Sequence, residues 1–372
     1  MDVETPAPED LLARLSTRLD DGTAGPLAVL DPRWPEPLRR SARDQLAAAR
    51  AAGRLHEGDL VLFTSGATGR ARGVVRTVES WRASLAPLTD LTGISATDDV
   101  WLPLPLSSSL SLYGGLHAVS VGAAVTRTRT LPPAATAAHL VPTLLDESCA
   151  RAETGTPTRL RTVVVAGAVL SPGLRARAER LGWDVVEYYG AAELSFVGWR
   201  RGGGPMHDFP GARTRLDDDD RLWASSPYLA RGYLDADPGG ALQRDGEWAT
   251  VGDLARLDRD GWRVLGRGSA AVTTGGHTVL VEDVEAALAA LPGVLDVAVT
   301  GQPHPRFGQV VTAVLVVEDG VRRRDLAGRL GALPAPARPR RWLRATTIAR
   351  TDTGKIRREE IARSADDLPP LP

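Results

Sequence analysis

The stretch Thr64-Ser65-Gly66-Ala67-Thr68-Gly69-Arg70-Ala71-Arg72-Gly73-Val74 directly follows an apolar run, residues 58–63, that predicts a β-strand. Its three glycines permit backbone angles that other residues avoid, and the hydroxyls and N–H groups between them can close around phosphate oxygens. The spacing differs from that of a Walker loop. Taken alone, the segment predicts either an anion-binding loop or a polar hairpin turn.

Helix and strand patterns alternate on both sides of this loop. Residues 10–20 and 38–55 have helical periodicity, and short buried-type strands at 163–165 and 183–186 flank a helix at 172–181. This alternation predicts a largely parallel, helix-covered sheet of the α/β class.

The pattern changes after Arg267. We expect a helix at 282–291, strands at 294–300 and 309–317, a helix at 322–331 and a final strand before Lys355. These elements predict a small α+β domain, and the division expected is 1–267 and 268–372.

Composition excludes several classes of protein. With 372 residues, 43% of them hydrophobic, 24% charged and a net charge of −1, the chain predicts a soluble globular protein with no basic surface for nucleic acid or anionic lipid. The single cysteine, Cys149, excludes an internal disulfide, and the histidines lack zinc-ligand spacing. The acidic run at 217–220 predicts a hairpin turn rather than a cation site. With neither a signal peptide nor a membrane span in the sequence, the expected location is cytoplasmic.

Lys355 is the only lysine among 45 basic residues, and it follows Gly354 near the C-terminus. A lysine puts a compact point charge on a flexible stem, which the planar fork of an arginine does not reproduce. Lys355 is therefore either a functional cation or an accident of an arginine-rich composition.

Further short motifs follow the glycine loop in a fixed order. They are Gly167-Ala168, Tyr189-Gly190-Ala191-Ala192-Glu193, Gly252-Asp253, Gly266-Arg267, Gly275-Gly276 and Gly354-Lys355. Each is weak alone, but the ordered series resembles the adenylate-forming acyl-CoA synthetase (AMP-binding) superfamily over about residues 58–360. The nearest resemblance is to the short bacterial o-succinylbenzoate–CoA ligases.

The resemblance implies the large sheet-and-helix domain of these enzymes, shortened at its N-terminus, with a small mobile C-terminal domain. It also implies ATP, Mg²⁺ and coenzyme A as cofactors and a small carboxylic acid as substrate. The implied catalytic residues are Lys355 and Glu193, and Glu193 is the implied Mg²⁺ ligand. The implied nucleotide and CoA contacts are Thr64, Ser65, Gly66, Thr68, Gly69, Arg72, Gly167, Ala168, Tyr189, Gly190, Asp253, Arg267, Gly275 and Gly276. The implied acyl-site residues are Ser107, Ser109, Tyr113 and Gly114.

Several positions depart from the superfamily pattern. Ala67, Arg72 and Ala192 replace a usual hydroxyl residue, lysine and threonine, and Ser107-Ser108-Ser109 stands where an aromatic residue or histidine is common. The expected activity is ATP-dependent acyl- or aryl-CoA ligation. Two alternatives stay open, namely thioester formation from a preformed acyl-adenylate and a non-catalytic ligand-binding role. The acceptor is expected to be CoA, with a carrier-protein thiol as the other possibility.

Overall fold

The computed structural model describes residues 7, 10–21, 25–65, 71–235, 242–267, 271–274, 277–331, 333, 335–351, 354 and 356–372. Its helices are α1 Leu11–Asp21, α2 Glu36–Ala51, α3 Val78–Thr92, α4 Ser109–Ser120, α5 Pro142–Glu153, α6 Pro172–Arg180, α7 Val281–Ala289, α8 Arg323–Ala327 and α9 Arg358–Ser364.

The strands are β1 Leu27–Val29, β2 Asp59–Ser65, β3 Ala71–Thr77, β4 Asp99–Trp101, β5 Ala124–Thr126, β6 Ala137–Leu140, β7 Thr162–Val165, β8 Asp184–Ala191, β9 Ser195–Arg200, β10 His207–Asp208, β11 Arg213–Leu216, β12 Leu222–Ser225, β13 Gly232–Tyr233, β14 Gln243–Asp245, β15 Trp248–Thr250, β16 Asp253–Asp258, β17 Gly261–Arg267, β18 Ala271–Thr274, β19 His277–Leu280, β20 Val294–His304, β21 Gly308–Val317 and β22 Arg341–Arg344.

The described residues form two compact units. The first lies within Met1–Arg215, Leu222–Val251 and Asp258–Trp262, and the second within Leu216–Arg221, Gly252–Leu257 and Arg263–Pro372. Within the part of the chain described, every helix is too short or too polar to span a bilayer.

The first unit contains the parallel sheet that the sequence predicts. Its strand order is β10-β9-β8-β7-β6-β4-β5, and the strands from β8 to β5 run parallel. Ala137 on one face belongs to the same buried cluster as Leu112 of α4, whereas Ala138 on the other belongs to that of Leu145 of α5. Helices therefore cover both faces, as expected for a parallel sheet.

A smaller sheet, ordered β1-β2-β3-β13, carries the glycine stretch. The helix after β3 begins with a cap, because Thr77 Oγ1 accepts a hydrogen bond from the Ser80 N–H at 3.0 Å. It ends at Gly93, whose φ of 65° suits a glycine.

The second unit is built on β20 and β21, which pair antiparallel, with β22 parallel to β21. Val284 and Leu288 of α7 pack against Val299 and Leu315. The predicted helix at 322–331 is wrong in length, since α8 ends at Ala327. The N–H groups of Arg329 and Leu330 then bond three residues back, the pattern of tight turns, in a stretch that contains two glycines.

The last strand of this unit, β22, ends well before Lys355. Close to that lysine, Arg350 and Ile356 form an isolated β-bridge.

The acidic run at 217–220 forms the predicted turn, because Asp217 accepts hydrogen bonds from the N–H groups of Asp219 and Arg221.

Candidate active site

The glycine stretch connects two antiparallel strands. Thr64 pairs with Arg72 and Ser65 with Ala71, so the chain leaves along β2 and returns along β3. Gly66, Thr68 and Gly69 lie outside the described residues, as do the side chains of Thr64 and Ser65. The described residues therefore fix where both limbs of the loop start.

Arg72, the first charged side chain described on the returning limb, lies over Tyr233. The carbon at the centre of its guanidinium is 5.4 Å from the centroid of the Tyr233 ring. The Tyr233 hydroxyl donates a hydrogen bond of 2.8 Å to Glu193 Oε1. Tyr233 thus joins Arg72, an expected nucleotide contact, to Glu193, the expected Mg²⁺ ligand.

The hydroxyl of Tyr233 remains protonated. Burial, followed by the nearby negative charge of Glu193, raises its pKa well above the ordinary value. It can therefore serve Glu193 only as a hydrogen-bond donor at neutral pH.

Glu193 lies in the turn between β8 and β9 and is 7% exposed. Its backbone carbonyl accepts a hydrogen bond of 2.8 Å from the N–H of Ala230. Both the main chain and the side chain of Glu193 are thus held by residues at or next to β13.

Arg76, on β3, also holds this turn. Its guanidinium donates to the carbonyl of Ala192 at 3.1 Å and to that of Tyr228, and it lies 5.1 Å from the ring of Trp81. Burial lowers the pKa of Arg76 to about 9, so it stays charged at neutral pH. The bonds of Arg76 and Tyr233 span 116 and 40 positions in the chain, so neither residue is predictable from local sequence patterns.

Gly190 is required by the hairpin that carries Glu193. A Cβ at this position would lie 2.0 Å from the backbone oxygen of Ser195, so no side chain fits. The ring of the preceding Tyr189 meets Trp262 edge-on, with centroids 5.7 Å apart.

Gly167 and Ala168 lie exposed just after β7, next to β8 in the sheet. Gly167 has a φ of 90°, which favours glycine. The carboxyl ends of parallel strands are where ligands commonly bind in sheets of this kind, and these two residues occupy such an end.

The four residues expected at the acyl site have different surroundings. Ser107 Oγ donates to Asp31 Oδ2 at 2.7 Å, and Ser109 begins α4. The hydroxyl of buried Tyr113 bonds Ser84 Oγ at 2.9 Å. A Cβ on Gly114 would lie 2.7 Å from the His139 ring, so the absence of a side chain there admits the imidazole.

His139 and His117 form a buried pair between α4 and β6. Their ring centroids are 6.5 Å apart, and neither nitrogen of His139 has a hydrogen-bond partner among the described residues. Burial lowers the pKa of His117 to about 4 and, with the added effect of His117, that of His139 to about 3. Both imidazoles are therefore neutral at neutral pH.

The remaining expected site residues belong to the second unit. Asp253 is buried at the start of β16, and Arg267 ends β17 with its side chain outside the described residues. Gly275, Gly276 and Lys355 also lie outside them. Gly354 has a φ of 79° and donates its N–H to Thr351 at 2.8 Å, so a turn precedes the lysine.

Comparison with known proteins identifies the family. The family model described as AMP-binding enzyme matches residues 11–234, and the model of the AMP-binding enzyme C-terminal domain matches residues 283–355. An uncharacterised acyl-CoA ligase of Bacillus subtilis, YhfT, is 27% identical over 330 residues, covering 80% of this chain and 67% of the relative. A probable 2-succinylbenzoate–CoA ligase of Mycobacterium tuberculosis is 30% identical over 338 residues, covering 82% of this chain and 84% of the relative.

The fold is also that of a solved structure. ATP-bound MatB from Rhodopseudomonas palustris matches with a TM-score of 0.80 at 21% identity, over 98% of this chain and 88% of MatB. The mixed α/β architecture with a large N-terminal and a small C-terminal domain, expected from the motifs, is thereby confirmed. The ordered motifs, the fold and both family models agree, and the chain belongs to the AMP-binding enzyme family.

Proposed function

We propose that this protein is an ATP-dependent acyl- or aryl-CoA ligase, an AMP-forming acid–thiol ligase. Its relatives include proteins named as CoA ligases. The observation that carries the proposal is the contact of Tyr233 with both Glu193 and Arg72, which groups a carboxylate and a cation at the returning limb of the glycine loop. A site that handles the triphosphate of ATP needs fixed charges of this kind.

The reaction has two steps. In the first, a carboxylate oxygen of the acid bonds to the α-phosphorus of ATP while the bond from that phosphorus to the β-phosphate oxygen breaks, releasing pyrophosphate. In the second, the sulfur of CoA bonds to the acyl carbon and the bond to the phosphate oxygen breaks, releasing AMP. The thiol proton is lost to solvent or base, so atoms and charges balance.

The first step brings two anions together, and the site must offset their repulsion. The proposed contacts of the phosphates are the hydroxyls and N–H groups of the 64–69 loop together with Arg72. The adenosine would contact the loop at Gly167 and Ala168 and the segment at Tyr189 and Gly190. Its ribose would contact Asp253 and Arg267.

Glu193 is suited to be a magnesium ligand. Its carboxylate is a hard anionic group whose Oε1 accepts a hydrogen bond from Tyr233. No cluster of three or more acidic, histidine or cysteine side chains suited to a metal occurs among the described residues. Mg²⁺ is commonly held by one or two carboxylates plus substrate phosphates and water, so a single glutamate suffices. When bound, the ion would neutralise charge on the phosphates.

Lys355 is the proposed cation of the first step, and Gly275 and Gly276 are the proposed lining of the passage through which CoA reaches the acyl group. We place these residues in a domain of residues 268–372, separate from the ATP- and acyl-binding domain of residues 1–267. We propose further that the small domain moves between the two half-reactions. Lys355 would act in the first, and Gly275 and Gly276 would take its place at the site in the second.

The acid would bind near α4, where Ser107, Ser109, Tyr113 and Gly114 are the proposed acyl-site residues. Of these, Ser107 is half-buried and Ser109 exposed, whereas Tyr113 is buried and His139 fills the space beside Gly114.

A pyrophosphate–ATP exchange assay over a panel of aliphatic and aromatic acids tests the proposal. Acid-dependent exchange, followed by thioester formation when CoA is added, is the expected result. Thioester formation only from supplied acyl-adenylate would instead support an enzyme that no longer adenylates. Inactivity in both assays would contradict a ligase function. Replacing CoA by a phosphopantetheinylated carrier protein in the second assay identifies the acceptor thiol.

A further inference from the structure

Gln45 contacts the backbone at the point where the glycine loop returns. It lies on α2 and is 6% exposed. Its Nε2 donates to the carbonyl oxygen of Ala71 at 2.6 Å, and its Oε1 accepts from the N–H of Gly73 at 3.3 Å. Ala71 is the first described residue after 66–70. One buried amide thus bonds both sides of Arg72.

These bonds complete one edge of β3. Along that edge, the carbonyl of Val75 accepts from the N–H of Arg231 at 2.7 Å, and the carbonyl of Gly73 accepts from the N–H of Leu234 at 2.9 Å. The neighbouring strand β13 spans only Gly232–Tyr233. The Gln45 amide presents one donor and one acceptor to this edge, as a peptide group does, and so continues the pairing toward the loop; Nε2 also donates to Ser41 Oγ at 3.4 Å.

Packing leaves this part of β3 little freedom to shift. A Cβ on Gly73 would lie 2.4 Å from Leu234 Cδ1 and 3.0 Å from Phe63 Cε1. The strand is therefore held closely between its neighbours, and its hydrogen-bond register on the outer edge depends on the groups that face it. At the carbonyl of Ala71 and the N–H of Gly73 those groups belong to Gln45.

We propose that Gln45 is a positioning residue for adenylation, because it fixes the returning limb of the glycine loop and with it the direction of Arg72. The inference rests on the proposed function. Gln45 itself touches no reacting atom, so its effect is confined to the half-reaction that needs the triphosphate grip. The attack of CoA on a finished acyl-adenylate does not depend on it.

Gln45→Met tests this, since it keeps the length of the side chain and removes both hydrogen bonds. We expect kcat/KM for ATP in pyrophosphate exchange to fall about tenfold or more, the scale set by leaving buried backbone groups unpaired. Thioester formation from supplied acyl-adenylate and CoA should stay within about twofold of wild type. Hydrogen exchange at the Gly73 amide should become faster.

Ser148→Ala is the matched control. Ser148 is buried in the same unit and donates to a backbone carbonyl, that of Leu144, at 2.7 Å. Its removal should change thermal stability without changing the ratio of the two half-reactions. If Gln45→Met does not fold, Gln45→Asn replaces it, because this variant keeps a neutral amide on a side chain one methylene too short to bond both Ala71 and Gly73. The same selective loss of exchange is expected.

The outcomes separate the two proposals. Absence of exchange in the wild-type protein with every acid would overturn the ligase function. Wild-type exchange with an unchanged ratio of half-reactions in the Gln45 variants would overturn the role of Gln45 alone. An equal loss in both half-reactions would make Gln45 a purely structural residue and would also overturn the inference.

Discussion

The charge of Glu193 is proposed to bind Mg²⁺. Glu193→Gln keeps the shape of the side chain but removes a hard anionic ligand. We expect pyrophosphate exchange to fall, and part of the loss to be recovered as Mg²⁺ concentration rises. A titration of exchange rate against Mg²⁺ measures this. A loss that does not change with Mg²⁺ would argue against metal ligation.

A second prediction concerns the hydroxyl group of Tyr233. Tyr233→Phe removes the hydroxyl that donates to Glu193 and keeps the ring under Arg72. Loss of a hydrogen bond to a charged group costs about 1.5–3 kcal/mol, so exchange should fall roughly tenfold to a hundredfold. Tyr228→Phe is the control, because its buried hydroxyl donates to a backbone carbonyl, that of Pro210. Equal effects of the two substitutions on exchange would remove the special role of Tyr233.

Single residues were predictable from sequence where a motif carried them. Glu193 and Gly190 belong to such a motif, and the structure shows that Gly190 has no room for a side chain. Tyr233, Arg76 and Gln45 belong to none, because they act on residues 40, 116 and 26 positions away in the chain. Contacts of this range follow from strand order, which local patterns do not contain.

The packing of α4 against β6 makes a prediction about pH. In the unfolded chain His139 and His117 have the ordinary histidine pKa of 6.5. In the folded protein the pKa is about 3 for His139 and about 4 for His117. Between pH 6.5 and 4 the unfolded state therefore binds more protons, and stability must fall as pH falls. Each histidine contributes up to about 1.4 kcal/mol per pH unit.

His139→Leu should reduce this slope. Urea unfolding of the variant and the wild type at pH 7.5, 6, 5 and 4.5 measures it, and the difference in unfolding free energy between the two proteins should move in favour of the variant as pH falls. A difference that stays constant with pH would show that His139 gains its proton without unfolding.

Elements were predicted well where periodicity or buried runs were strong. The helix expected at 172–181 is α6, and the strand that leads into the glycine stretch is β2. The helix expected at 322–331 was too long, because apolar spacing continues through Gly328 and Gly331 although the hydrogen bonds do not. Apolar spacing marks a buried face, and a series of turns can supply one as well as a helix can.

In the proposed function, the two half-reactions use different residues of the molecule. The described residues form two compact units, and the residues proposed for the loop, Glu193 and Arg72 lie in the first. Lys355 is proposed to act from the C-terminal domain in adenylation alone. Removing one preorganised donor from such a site costs on the order of a hundredfold to a thousandfold in rate.

The most direct measurement is therefore the pair of half-reaction rates in Lys355→Ala and Lys355→Arg. We predict that Lys355→Ala loses most pyrophosphate exchange but converts supplied acyl-adenylate and CoA to thioester at the wild-type rate. Lys355→Arg should restore little, because a planar fork cannot replace the compact charge. Wild-type exchange rates in both variants would contradict the account and make the single lysine an accident of composition.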